Sequence, residues 1–134
     1  MRCVLDASVA LKWVLSEEHS DFANALREQH RNGVCTFIAP DIFPLEVAHA
    51  LTRAERKGLL QPPEASILTA DILTTPPALH SSIDLLTRAL EISSQMRVGI
   101  YDCLYVALAE DEGCELVSAD EKLLVSLPGY PIRH

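Results

Sequence analysis

Cys3-Val4-Leu5 forms a short unbroken apolar run near the start of the chain, and it stops at Asp6. A run without alternation suits a strand covered on both faces, as in a parallel sheet, better than a half-exposed strand. Ser8 can then cap a helix over residues 9–15. Asp6 would stand at the carboxyl end of a central strand, where open α/β sheets place their ligand crevices. A carboxylate there is either poorly solvated or bound to something.

The strand-then-helix rhythm continues along the chain. Ser16-Glu17-Glu18 opens a second helix carrying Phe22, Ala25, Leu26 and Gln29, with Gly33 as its stop. Thr36-Phe37-Ile38-Ala39 reads as a second strand closed by Pro40, and Asp41 as the cap of a third helix over 42–57. Pro62-Pro63 starts a fourth helix through Ala65, Ile67, Leu68 and Ile72, and Thr75-Pro76-Pro77 stops it. Ala78-Leu79-His80 is a weak third strand. Ser81 or Ser82 caps a fifth helix carrying Ile83, Leu86, Leu90 and Met96. A sixth, very apolar helix begins at Tyr101-Asp102 and ends at Gly113. Residues 114–118 form a fourth strand, 120–125 a short helix, and Tyr130-Pro131-Ile132 a terminal edge strand. Strands alternating with helices imply an α/β fold with a parallel sheet covered on both faces and right-handed crossovers, one domain over 1–134.

A chain of 134 residues with 49% hydrophobic and 22% charged side chains can bury a real core and is not disordered in composition. No apolar run approaches the ~20 residues of a membrane span, and Asp6 interrupts any secretory layout at the start. The chain therefore reads as cytoplasmic, with no membrane partner. Cys3, Cys35, Cys103 and Cys114 are scattered without a CxxC pair, as expected for buried thiols rather than a zinc or disulfide framework. A formal net charge of −8 argues against broad, non-specific nucleic-acid binding and leaves room for local basic patches.

Four acids have unusual placements. Asp6 ends the first strand, Glu46 lies early in the third helix, Asp102 in the first turn of the sixth, and Asp120 just after the fourth strand. In a parallel sheet, strand ends and the starts of the following helices share one edge. Asp6, Glu46 and Asp120 would converge there, joined by Asp102 if the sixth helix starts beside them. Gathered like charges repel by several kcal/mol at short range in an intermediate dielectric, so such a cluster requires protons or a cation. Oxygen-only ligands suit magnesium or manganese rather than zinc, and carboxylate-held magnesium is apparatus for cutting phosphodiesters. Each acid has a plainer reading: Asp6 as a strand-end aspartate, Glu46 as an exposed helix residue, Asp102 as a partner of the helix dipole, Asp120 as an N-cap. Ser8 and Ser118 can be simple caps or strand-end hydroxyls. Their joint placement favours a site.

Other patterns are weaker. Glu46-Val47-Ala48-His49 has the Glu-x-x-His spacing of di-iron bundles but occurs once where two copies are needed. Glu46, His49, Arg53 and Lys57 share a helix face that a phosphate could follow, or that is simply solvated. Trp13 on an apolar helix reads as core or partner interface. No glycine-rich phosphate loop occurs.

Residues 4–13 (Val4-Leu5-Asp6-Ala7-Ser8 through Lys12-Trp13), then Pro40-Asp41 with Glu46-Val47, then Tyr101-Asp102-Cys103-Leu104-Tyr105 through Ala109, then Leu116-Val117-Ser118-Ala119-Asp120 through Leu123, resemble the PIN-domain ribonucleases. The nearest likeness is to VapC-type toxins of toxin–antitoxin pairs. The resemblance runs through essentially the whole chain. It implies a three-layer α/β/α sandwich with a central parallel five-stranded sheet and a Mg2+- or Mn2+-dependent endoribonuclease acting on RNA. It also implies a small cognate antitoxin and a homodimer. By that resemblance Asp6, Glu46, Asp102 and Asp120 are the catalytic, metal-holding acids. Ser8 and Ser118 would orient carboxylates or bound water, Ser118 standing where a threonine is common.

Three rivals remain open. An aspartyl-phosphate phosphohydrolase would want a second aspartate two residues after Asp6, where this chain has Ser8. A non-catalytic PIN-like interaction domain would bind a partner through its apolar helices and no divalent ion. A structure-specific metal-dependent DNA nuclease is disfavoured by the short chain with no added arch or clamp.

Overall fold

The computed structural model describes residues 1–15, 20–127, 129–130 and 132–133. Five strands form one all-parallel sheet in the order β3-β2-β1-β4-β5. They are β1 (Arg2–Leu5), β2 (Thr36–Pro40), β3 (Ala78–His80), β4 (Glu115–Val117) and β5 (Ile132–Arg133). The helices are α1 (Ala7–Leu11), α2 (Ser20–Arg31), α3 (Phe43–Arg56), α4 (Glu64–Ile72), α5 (Ser82–Met96), α6 (Ile100–Glu112) and α7 (Glu121–Ser126). Consecutive residues of β1 and β2 are buried, which requires cover on both faces of the sheet and gives the three-layer α/β/α arrangement.

The apolar run at the head of the chain is the middle strand. Val4 pairs with Ile38 on one side and with Leu116 on the other. The chain builds outward from β1 through β2 to β3, then returns to the other side of β1 for β4. The strand order therefore reverses between β1 and β4, and such a reversal opens a crevice beyond the carboxyl ends of the strands. Helix α6 packs against β1, β2 and β4 and buries every side chain from Cys103 to Ala109. Its all-round apolar sequence reflects that central position.

Several local expectations change. Ser8 does not cap α1; Asp6 occupies the N-cap position, and the helix runs only to Leu11 instead of Leu15. Asp41 does not cap α3, whose N-cap is Ile42. Its carboxylate instead accepts from the amide and hydroxyl of Ser82, so it serves the start of α5. Of the apolar residues that mark α5 in the sequence, Ile83 is 79% exposed and Leu86 and Leu90 are also exposed, while Met96 packs against the core. The buried stripe is Leu85, Ala89 and Ile92, equally compatible with helical spacing. In α4, Ile67 is exposed while Ala65 and Ile72 are buried. The helix start expected at Ser16-Glu17-Glu18 lies outside the described residues, as does Pro131 of the terminal strand.

Two features tie α2 and α4 to the core. The Trp13 indole donates to the Ala23 carbonyl at 2.9 Å and stacks on Phe37. The guanidinium of Arg27 lies over the Trp13 ring at 4.7 Å. Arg27 is buried, but its charge is met by the Asp71 carboxylate at 2.9 Å, the Asp71 carbonyl and the Thr75 hydroxyl. The four cysteines carry free thiols; Cys3, Cys35 and Cys103 are buried. Among the described residues, no helix is long and apolar enough to cross a membrane.

Candidate active site

The crevice at the strand-order reversal is a cavity of about 650 Å3. Asp6, Ser8, Glu46, Asp102 and Asp120 line it together, with His49 also on the wall. Ser118 lies buried beside Asp6. Arg53, farther along α3, and Lys57, just past its end, are exposed and do not line the cavity. Ala7, Leu11, Ile42, Leu45, Ala50 and Tyr101 complete the wall, so the acids sit in a lining that is otherwise largely apolar.

Each acid arrives on a different element. Asp6 is the residue at which β1 turns into α1, and its amide donates to the Val117 carbonyl of β4 at 3.1 Å. Its Oδ2 accepts from the Ser118 hydroxyl at 2.7 Å and the Ser8 hydroxyl at 2.8 Å. Those hydroxyls also accept from backbone: Ser8 from the Ala119 amide and Ser118 from the Asp120 amide, each at 3.0 Å. Two side chains thus pin Asp6 and fasten the loop after β4 to the loop after β1. Asp120 caps α7 through the Lys122 amide while still facing the cavity. Glu46 and Asp102 lie in the first turns of α3 and α6, where a negative charge is favoured by the helix dipole.

The electrostatics register the crowding. Burial raises the Asp6 carboxyl above the usual range despite the Ser118 and Ser8 hydroxyls, and the Asp120 charge adds to the rise. Burial pushes Glu46 to about 6; the Tyr105 phenol opposes the rise, while the charges of Asp6 and Asp102 reinforce it. Burial, then the charges of Asp6 and Asp120, push Asp102 to about 6. Three mutually repelling carboxyls with raised pKa values form a site that a cation would relieve.

The donor set fits a hard divalent ion: four carboxylates and two hydroxyls, with no thiolate among them. Among the described residues no three His, Cys, Asp or Glu side chains are closed around one cation-sized point. The four acids share the lining of one cavity without closing on a single point.

The residues that sequence reasoning left out are the apolar wall and Tyr105. Tyr105 lies three positions after Asp102 on α6, a spacing that puts both on one helix face and could have drawn attention to it.

The family model of the PIN domain matches residues 3–125. The chain belongs to the PIN-domain family. A protein of Pyrobaculum aerophilum named Ribonuclease VapC3 is 32% identical over 130 residues, covering 96% of each chain. A Mycobacterium tuberculosis protein of the same name is 32% identical over 125 residues, 93% of this chain and 87% of the relative. Two solved structures share the fold. A crystal structure of a Pyrobaculum aerophilum protein matches with a TM-score of 0.71 at 23% identity, covering 98% of this chain and 92% of that one. VapBC2 of Rickettsia felis, solved with a DNA fragment from its promoter, matches with a TM-score of 0.69 at 16% identity, covering 99% and 98%. The five-stranded parallel sheet expected from the family likeness is the sheet observed.

Proposed function

We propose that this protein is a divalent-metal-dependent endoribonuclease, acting as the toxin of a toxin–antitoxin pair. The observation that carries the proposal is the meeting of Asp6, Glu46, Asp102 and Asp120, from four separate elements, in one cavity of a PIN-domain fold. Relatives named Ribonuclease VapC3 support the reaction class, and the fold shared with VapBC2 is in keeping with an antitoxin partner. The single PIN unit would span residues 1–134, work in the cytoplasm, and pair with a second copy of itself.

Asp6, Glu46, Asp102 and Asp120 would hold Mg2+ or Mn2+ directly or through water. A cation bound there supplies Lewis-acid polarisation of the scissile phosphate and a lowered pKa for its water. The protein's part is placement. Ser118 and Ser8 hold Asp6 in one rotamer, and the same hydroxyls keep the Ala119 and Asp120 backbone beside it. Glu46 and Asp102 enter from the first turns of two helices, α3 and α6. Leu45 and Tyr101, exposed at the mouth, offer apolar surface to bases flanking the scissile bond. The strongly negative chain then binds RNA through a neutralised centre instead of a basic surface.

The test is cleavage of a mixed-sequence fluorogenic RNA with Mg2+ or Mn2+ present, and again in excess chelator. Glu46→Gln and Asp102→Asn should each abolish cleavage with the fold intact by circular dichroism. Metal-dependent cutting retained in either variant defeats the assignment. Absence of both cutting and Mn2+ binding in the unaltered protein would point to a non-catalytic interaction domain. Cutting of DNA but not RNA would point to the DNA nuclease.

A further inference from the structure

The Tyr105 hydroxyl is an oddity of the core. The ring sits in the fully buried stretch of α6 and is 1% exposed. Its oxygen is buried without a hydrogen bond of full geometry among the described residues. Burying an unpaired hydroxyl is unfavourable, because it gives up its hydrogen bonds to water. Phenylalanine would fill nearly the same volume without that cost, as Phe37 and Phe43 do at fully buried positions nearby in the sheet and α3. Packing therefore gives no reason for the oxygen.

Its surroundings do. Tyr105 lies one turn beyond Asp102, and the group facing its hydroxyl is the Glu46 carboxylate, with Asp6 and the Ala7 backbone also close. Tyr105 is not part of the cavity wall, so it reaches Glu46 from behind. Glu46 is a flexible side chain set among the negative charges of Asp6 and Asp102. Repulsion alone would turn it away from them. A neutral phenol has one proton to donate, and a hydrogen bond to a carboxylate is stronger than one between neutral groups. Such contacts are commonly long before ligands bind and tighten in the complex.

We propose that Tyr105 is a positioning residue: its hydroxyl holds one oxygen of Glu46 from behind and leaves the other turned toward a bound divalent cation. This role presupposes the reading of Glu46 as a cation-holding acid given above. Tyr105 itself touches neither the cation nor RNA.

The experiment compares the unaltered protein with Tyr105→Phe, Glu46→Gln and the double variant. Mn2+ binding is measured by calorimetry, and melting by circular dichroism in chelator. Tyr105→Phe should bind Mn2+ on the order of tenfold more weakly, the usual size of effect for a group that orients a metal ligand. Its melting temperature in chelator should be unchanged or raised. In cleavage assays, excess Mn2+ should restore its rate, with KM for RNA unchanged. In the Glu46→Gln background the second change should have no further effect on Mn2+ binding. Equal Mn2+ affinity in Tyr105→Phe and the unaltered protein overturns the proposal. So does a clear fall in melting temperature, which would make the hydroxyl structural, or an additive loss in the double variant. If instead Glu46→Gln binds Mn2+ as the unaltered protein does, the role of Glu46 itself fails, a result separable from a silent Tyr105→Phe.

Discussion

Glu46→Gln should make the protein more stable while it abolishes cleavage. Burial and the neighbouring charges of Asp6 and Asp102 raise the Glu46 carboxyl from 4.5 to about 6. One pKa unit corresponds to about 1.4 kcal/mol, so holding this charge in the folded chain costs at most about 2 kcal/mol at neutral pH, and about 1–2 kcal/mol once solvent screening of this partly exposed group is counted. The sign follows from where the proton sits. Below pH 4.5, folded and unfolded chains both keep it, and there is no penalty. Between 4.5 and about 6 the folded chain binds more proton than the unfolded one, so stability falls as pH rises. Above about 6 both have lost it, and the folded state carries the whole penalty. Glutamine has the same shape and no charge, and it can still accept from Tyr105.

In chelator at pH 7.5, Glu46→Gln should therefore gain about 1–2 kcal/mol, roughly 5 °C in melting temperature for a chain of this length. The gain should shrink to nothing by pH 4.5. If Glu46 holds the cation as proposed, added Mn2+ should reverse the order, because an ion at a hundredfold excess over its Kd stabilises by about 2.7 kcal/mol and the variant would bind it more weakly. Thermal melts followed by circular dichroism at two pH values, with chelator and with Mn2+, give all four comparisons. A variant less stable than the unaltered protein at pH 7.5 in chelator, or a difference of the same size at both pH values, would refute the account of the acids as a strained cluster.

Two other substitutions probe the supports of the site and the core. Ser118→Ala removes a 2.7 Å donor to Asp6 and the acceptor for the Asp120 amide; a loss of about 1–3 kcal/mol in urea unfolding is expected, together with weaker Mn2+ binding, whereas Ser118→Thr should keep most of both. Arg27→Met strips the buried partner from Asp71 and Thr75 and the cation from the Trp13 face; it should lower stability by about 1–4 kcal/mol in the same assay while leaving Mn2+ affinity unchanged.

The order of strands and helices was legible because each rests on local periodicity. Cys3-Val4-Leu5 suits a strand covered on both faces, and Gly113, at φ +63°, ends α6 as a residue free to adopt that angle should. The acids were legible for a related reason: a parallel sheet puts strand ends and helix starts on one edge whatever the details. What local pattern could not supply was direction. In α5 two apolar stripes satisfy the same helical spacing, and only docking on α6 selects Leu85, Ala89 and Ile92 over Ile83, Leu86 and Leu90. Hydroxyls and carboxylates near helix starts look like caps in any sequence. By local pattern Ser8 and Asp41 cap their own helices, yet Ser8 binds Asp6 and the loop after β4, and Asp41 serves α5.

The sequence alone thus determined a parallel α/β sheet and the edge at which its acids gather, because period and strand order are properties of short stretches of chain. Only the tertiary structure decided which groups hold those acids. Ser118 reaches Asp6 across 112 positions, and Tyr105 on α6 comes to lie by Glu46 on α3. Contacts of that range depend on where whole elements come to rest, which no local pattern encodes.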